Sequence, residues 1–408
     1  MSEMTMNSVS GMKKLGGALI VAGTSIGAGM FGIPYAIAAL GFKMAVVLLF
    51  INWIIMFATA MLITEVNTRQ PLGSDLNTLA KSTLGKPGQI VNWIAYLLLL
   101  YALTTAYISM GGGLIDQYVF GISSKAPTWY GALIFTLVLG AVVYIGTSAV
   151  DQLNKLFFTL KALCFIGLVF VVVPHVEMRL LNTSSMGIAY AWYAFPILIT
   201  SFGFHIVIPT IRNYFRNDRV LKKVVAVGAT IPMAVYLVWI FVTLGVIPIE
   251  GQYGFIALIA QGHDLGYAYE RLLQIHSISG FIIAFANIAV TTSFLGVTLA
   301  LFNFNQDAYG LTRTSHSRRL VNFMITYVPP FIFAVFFVNG FLAALGYASI
   351  FVCILLIILP ALMAWSLRRR ENRNDLFSKL YLIVLILCGV SIIVIQFLSS
   401  FGLLKVLG

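Results

Sequence analysis

Apolar runs recur along the chain, parted by short polar stretches, and none alternates with the period of two that a half-buried strand requires. At roughly 20 residues per membrane crossing, the pattern predicts eleven helices. They fall at 15–40, 43–66, 88–119, 128–147, 154–174, 186–210, 220–248, 275–304, 319–337, 341–364 and 378–400. Two of these runs are interrupted alike. The first breaks at Gly23-Thr24-Ser25-Ile26-Gly27-Ala28-Gly29 with Pro34 following, and the sixth at Thr200-Ser201-Phe202-Gly203-Phe204-His205 with Pro209 following. Backbone that leaves the helix at bilayer depth is tolerated only where it is buried in protein or lines a cavity, because hydrocarbon offers amides no partner.

A matched pair of interrupted spans marks a substrate site between repeats. The interrupted spans are the first and the sixth, and an odd number of spans per half inverts the second half. The expected organisation over residues 1–408 is one transmembrane domain with two inverted five-helix repeats, at 15–174 and 186–364. Helix 378–400 lies outside them, and the connections 67–87 and 249–274 are the longest polar stretches.

Composition agrees with this pattern. Hydrophobic residues make up 60% of the chain and charged ones 9%, against roughly a quarter charged in soluble domains. The net charge of +12 raises nucleic acid as a partner, but the placement of the basic residues excludes it. Nineteen of the 25 Lys and Arg flank the spans on one side; five (Lys43, Lys125, Arg179, Arg271, Lys405) lie on the other, and Lys161 sits within a span. The positive-inside rule then places the N-terminus in the cytoplasm and, after eleven crossings, the C-terminus outside. Cys164, Cys353 and Cys388 all fall within spans, so neither a disulfide framework nor a metal site is expected.

Gly27-Ala28-Gly29-Met30-Phe31-Gly32 spells a dinucleotide fingerprint, but that motif needs a strand before it and a soluble βαβ unit around it. Gly23 and Gly27 also form a small-xxx-small pair of the kind that packs membrane helices. Three glycines with Thr24 and Ser25 in seven residues, matched by a second break, favour ligand binding instead. A half-helix N-terminus offers amides to a carboxylate, and a C-terminus offers carbonyls to an ammonium. Two such breaks suit a zwitterion, and so a small amino acid.

Lys161 in the fifth span is either a snorkelling lysine or a proton carrier whose burial disfavours the charged form. Thr292 and Ser293 in the eighth span are candidate acceptors for it. His205 either titrates near neutrality or donates one bond within the packed interior. Glu65, Asp116 and Asp307, near span ends, read as interfacial or gating charges. Tyr107, with Tyr101, Thr104 and Ser109 at near-helical spacing, is within reach of a substrate. No set of acids, histidines or cysteines has catalytic spacing, so the chain is not read as an enzyme, and no cofactor is expected.

The stretches Ile20 to Met30, Tyr101-Ala102-Leu103-Thr104, Ala106-Tyr107-Ile108-Ser109, Ser201-Phe202-Gly203-Phe204-His205 and Thr292 to Val297 resemble the bacterial hydroxy/aromatic amino-acid permeases, the tyrosine-specific members above all. The resemblance runs from about residue 15 to the C-terminus. It implies an all-α, LeuT-like five-plus-five inverted-repeat fold and a proton-driven symporter of aromatic amino acids in the inner membrane. Phe204, where tryptophan-specific members tend to carry tyrosine, points to L-tyrosine. A lysine in the fifth span, where sodium-coupled members bind their ion, gives Lys161 the coupling role. The expectation is alternating access around a site formed by Gly23 to Gly29, Thr200 to His205 and Tyr107, with Lys161, Thr292 and Ser293 handling the proton. The alternatives are a tryptophan- or phenylalanine-preferring permease and an amino-acid sensor that does not transport.

Overall fold

The computed structural model describes residues 10–122, 127–183, 185–309, 311, 316–336, 340–373, 375–405 and 407, with backbone alone within 276–279. Lys125 and Arg313, among the basic residues flanking the spans, lie outside the described residues. The described residues form helices joined by turns, with no strand among them.

Nine helices among the described residues are long and apolar enough to cross a membrane by length and composition. Eleven crossings were expected, and two features account for the difference. The first span is divided: Gly11–Ser25 has 15 residues, and its second half continues into the second span. The chain turns there at Gly41 (φ 66°, ψ 166°), a left-handed position that suits glycine. The fourth span, Trp129–Ile145, has only 17 residues.

The second span is Gly41–Thr68, the third ends its helix at Ile115, and the fifth is Thr147–Val172. The sixth comprises Ala191–Ser201 and Ile208–Phe215. The seventh and eighth are Asp218–Leu244 and His276–Ala308, and the ninth is His316–Phe336. The tenth runs from Gly340 through a π-helical stretch, Cys353–Ile358, to Arg370, and the eleventh is Leu376–Ser400.

Both long connections hold helix that the hydrophobic pattern did not reveal. In the first, Asp75 accepts the Thr78 amide at 2.7 Å and starts a helix at Leu76, which bends at Gly85 (φ 75°, ψ −163°) before Pro87. In the second, Phe255–Gln261 and Leu265–Leu273 form, the latter capped by Asp264 on the Tyr267 amide at 2.9 Å. The segments beginning at Leu76 and Leu265 escape a hydropathy reading because their start signals are polar caps.

The fifth span packs on the eighth, the first on the seventh and the third on the tenth. Glycine permits the closest approach between the first and seventh: a Cβ on Gly228 would lie 2.5 Å from the Val21 side chain. Gly17 likewise faces the Phe215 ring at 2.6 Å. Close helix packing in the first span thus falls on Gly17 and on Gly23, where a Cβ would lie 2.9 Å from the Phe158 ring of the fifth span, whereas Gly27 faces Ser293.

Segments expected on one side of the membrane join one another. Arg212, only 7% exposed, donates to the carbonyls of Asn67 (2.5 Å), Gln70 (2.8 Å) and Thr68 (3.2 Å) and pairs with Asp218 at 3.3 Å. It therefore neutralises the C-terminus of the second span. Glu65 pairs with Arg368 at 2.5 Å, and Arg69 with Glu371 at 3.1 Å, tying the second span to the tenth. Segments expected on the opposite side do the same: the Met186 amide donates to Ala39 O at 2.8 Å, and Tyr118 donates to Asp264 at 2.9 Å.

Candidate functional site

Both expected interruptions are present, and both are narrower than the sequence suggested. The first helix ends at Ser25; Ile26 (ψ 87°) and Gly27 (φ −142°, ψ −157°) are extended, and a 3-10 turn, Ala28–Phe31, resumes the path. Gly23 and Thr24 remain helical, and the Thr24 hydroxyl bonds its own helix at Ile20 O. In the sixth span the helix ends at Ser201, Phe202 to Phe204 are non-helical, and a turn at His205–Val207 leads into Ile208–Phe215. Thr200 and Ser201 form the last helical turn, with hydroxyls bonded back to Pro196 O and Ile197 O, both at 2.9 Å. Local hydroxyl bonding of this kind competes with the helical ladder and suits a terminus.

The two half-helix ends meet. The Tyr236 hydroxyl, on the seventh span, lies 2.7 Å from Ser25 O and 2.8 Å from Ser201 O. The Ser201 hydroxyl is also 3.5 Å from Gly29 O. Side chains of other helices hold the rest of the first break. The Lys161 ammonium donates to Ile26 O at 2.7 Å, Ser293 Oγ accepts the Ala28 amide at 3.0 Å, and the Trp239 indole donates to Met30 O at 3.0 Å. Gly27 makes room for the second of these contacts, since a Cβ there would stand 2.5 Å from Ser293 Oγ.

Lys161 is 6% exposed, and among the described residues its polar partner is the Ile26 carbonyl. It is buried rather than extended to the protein surface, and it meets the break rather than Thr292 or Ser293. The Thr292 hydroxyl is bonded to Ala289 O on its own helix at 3.0 Å. Tyr107 is buried. Ser25 Oγ is buried and has no hydrogen-bond partner among the described residues.

His205 and Phe204 face away from this junction. His205 Nε2 lies 2.9 Å from the Thr59 hydroxyl, and its ring stacks on Phe204. Phe204 belongs to a buried cluster with Ala18, Val21, Ala60 and Ile208. Phe202 packs instead on Tyr236, ring centroids 5.2 Å apart.

A cavity of about 180 Å³ lies on the other side of the break. Phe31, Tyr35, Ser109, Gln117, Ala286 and Phe341 line it from the spans, and His263 and Asp264 from the connection between the seventh and eighth spans. Burial raises the Asp264 carboxyl above the usual carboxylate range, against the bonds it accepts from the Tyr267 amide, Tyr118, Gln117 and the Gly266 amide. Sequence reasoning missed Tyr236, Trp239 and this loop. The available signal was a Tyr and a Trp three residues apart in mid-span, far from the interfacial belts where such residues usually sit.

Comparison with known proteins fits this geometry. The structure superposes on that of MhsT in complex with L-phenylalanine with a TM-score of 0.59, at 15% identity, over 95% of this chain and 98% of that one. The chain is thus an all-α membrane protein of the LeuT-like fold. It is 34% identical to a tryptophan-specific transport protein of Pseudomonas aeruginosa over 365 residues, 87% of each chain. It is 33% identical to tyrosine-specific transport system 2 of Haemophilus influenzae over 405 residues, 97% of this chain and 98% of that one. The profile of the Tryptophan/tyrosine permease family matches residues 11–396, and the chain belongs to that family.

Proposed function

We propose that the protein takes up aromatic amino acids, L-tyrosine foremost, in symport with protons by alternating access. On this reading it lies in the bacterial inner membrane with its N-terminus in the cytoplasm and its C-terminus in the periplasm. The two inverted repeats, 15–174 and 186–364, carry the substrate between them, and helix 378–400 is peripheral. One observation carries the proposal: the interrupted first and sixth spans face each other at Tyr236, with Lys161 on the carbonyl of Ile26. Main-chain polar atoms so placed can grip both ends of a zwitterion. The apolar cavity above Phe31 has walls suited to an aromatic ring, with a few polar groups to orient it.

Lys161 supplies the proton-carrying group of this reading, with Ser293 linking the eighth span to the same break. Tyrosine is favoured by the resemblance at Phe204 and by the relative from Haemophilus influenzae. Tryptophan is the second reading, favoured by the relative from Pseudomonas aeruginosa.

The test is uptake of labelled tyrosine into proteoliposomes with and without an inward pH gradient, in competition with tryptophan and phenylalanine. Accumulation that needs the gradient and yields least to the other two amino acids is expected. Stronger competition by tryptophan would move the preference to the second reading. Binding without accumulation would leave a sensor.

A further inference from the structure

The tenth span ends in Arg368-Arg369-Arg370, and the eleventh helix starts a few residues later at Leu376. Between these ends lies a recess of about 590 Å³, lined by Arg368, Arg373, Asp375, Phe377, Ser378 and Tyr381. It shares no lining residue with the cavity above Phe31. Its surroundings are basic. Arg69, Arg368, Arg369, Arg370, Arg373 and Lys379 gather here against Glu65, Glu371 and Asp375, a surplus of three positive charges. Asp375 is committed to the start of the eleventh helix, where its carboxylate accepts the Ser378 amide at 3.4 Å.

The two arginines of the recess differ in what they have left to give. Arg368 is held on both sides, by the Glu65 carboxylate and by Ser378 Oγ at 2.9 Å, and forms a fixed wall. A guanidinium carries five N–H donors. Arg373, its side chain half exposed, makes its contacts with Glu371 (3.3 Å) and Glu65 (3.7 Å) through Nη1 alone. Beside it, Leu376 and Phe377 are 73% and 81% exposed, on the first turn of a helix long and apolar enough to cross a membrane. Bare apolar side chains next to a basic cluster suit the bilayer surface, where cations meet headgroups and apolar groups meet the acyl boundary.

We propose that this recess binds an anionic phospholipid, with its phosphodiester on Arg373 and the Tyr381 hydroxyl and its acyl chains along Phe377 and Leu376. The phosphodiester takes the donors that Arg373 does not spend on carboxylates, in a charge-assisted bond of the kind guanidiniums form with phosphate. Arg368 stays on Glu65, so the lipid buttresses the tie between the second and tenth spans. Basic pockets between spans on the side of the membrane that carries most of the Lys and Arg are suited to such headgroups.

The experiment counts lipid retained per protein by native mass spectrometry, with the purified full chain in detergent containing equal amounts of phosphatidylglycerol and phosphatidylcholine. Wild type is expected to retain phosphatidylglycerol at least tenfold over phosphatidylcholine. Arg373→Gln and Phe377→Asn are each expected to lower that retention at least fivefold. Lys222→Gln, which removes an exposed charge on another connection of the same side, should stay within twofold of wild type. Equal retention of the two lipids by wild type overturns the proposal, as does wild-type retention by Arg373→Gln or by Phe377→Asn. An equal loss in Lys222→Gln also overturns it, by showing diffuse charge in place of a site. Glycerophosphoglycerol, the headgroup without its chains, is then added in tenfold excess over the lipid. Retention is expected to hold, and displacement would show a site for a soluble phosphodiester and overturn the assignment to lipid.

Discussion

At the scale of single residues, Lys161 carries the sharpest prediction. Its ammonium lies among apolar side chains, without a carboxylate in salt-bridge range among the described residues, and donates to a carbonyl freed by the break. Loss of its proton would leave a neutral amine, a weaker donor to Ile26 O, and slacken the first span, linking protonation to the shape of the site. Lys161→Ala should cut pH-gradient-driven accumulation at least tenfold while exchange of substrate down its own gradient persists. Lys161→Arg separates holding from carrying, since a guanidinium can donate to Ile26 O but does not release a proton in this range. It should therefore leave the protein folded but uncoupled. Uptake by the arginine variant with wild-type pH dependence would reduce Lys161 to an anchor. The lysine was legible in the sequence because an ionisable residue within an apolar span stands out. Its partner was not, because nothing in a string of side chains says which main-chain oxygen will be free. His205 was equally conspicuous, but its bond to Thr59 and stacking on Phe204 tie it into packing between the second and sixth spans.

At the scale of elements, the breaks were legible as clusters of Gly, Ser and Thr in apolar runs, but their extent was not. Thr24, Thr200 and Ser201 stay helical by bonding their own preceding turn, which narrows the unwound backbone to Ile26–Gly27 and to 202–204. The torsions of Gly27 are those of ordinary extended chain, open to any residue. What demands glycine is the approach of Ser293. Gly27→Val is accordingly expected to abolish uptake while membrane insertion and expression stay intact. Its Cβ would have to displace the hydroxyl that accepts the Ala28 amide. Gly29→Ala should keep at least a third of the wild-type rate, because a Cβ there would meet Ser201 Oγ at an ordinary 3.6 Å. Equal rates of uptake in the two alanine-series variants Gly27→Ala and Gly29→Ala would show that space beside Ser293 is not what the site needs. The polar connections were the least legible elements. Two of their helices begin at Asp75 and Asp264, caps that the hydrophobic pattern does not register.

At the scale of the whole molecule, the proposed alternating access gives the ties between span ends a role, that of holding one arrangement against the other. The second span is tied to the tenth through Glu65 with Arg368 and Arg69 with Glu371, and Arg212 caps the second span. Glu65 and Arg368 are largely buried, so removing one partner leaves the other charge poorly compensated. A loss of about 1.4 kcal/mol from this state alone would change its population ratio tenfold. Under alternating access, a ligand entering from the cavity side sees an affinity reduced by the fraction of molecules in the competent state. Glu65→Gln should therefore raise the KM for uptake from that side about three- to tenfold and leave binding from the opposite side unchanged or tighter. Arg69→Gln, whose bridge to Glu371 is much more exposed, should shift KM less than twofold, since exposed pairs contribute about 0–1 kcal/mol. Sided uptake in right-side-out and inside-out vesicles measures both. If Glu65→Gln weakens binding equally from the two sides, the latch is a structural brace rather than a bias on access.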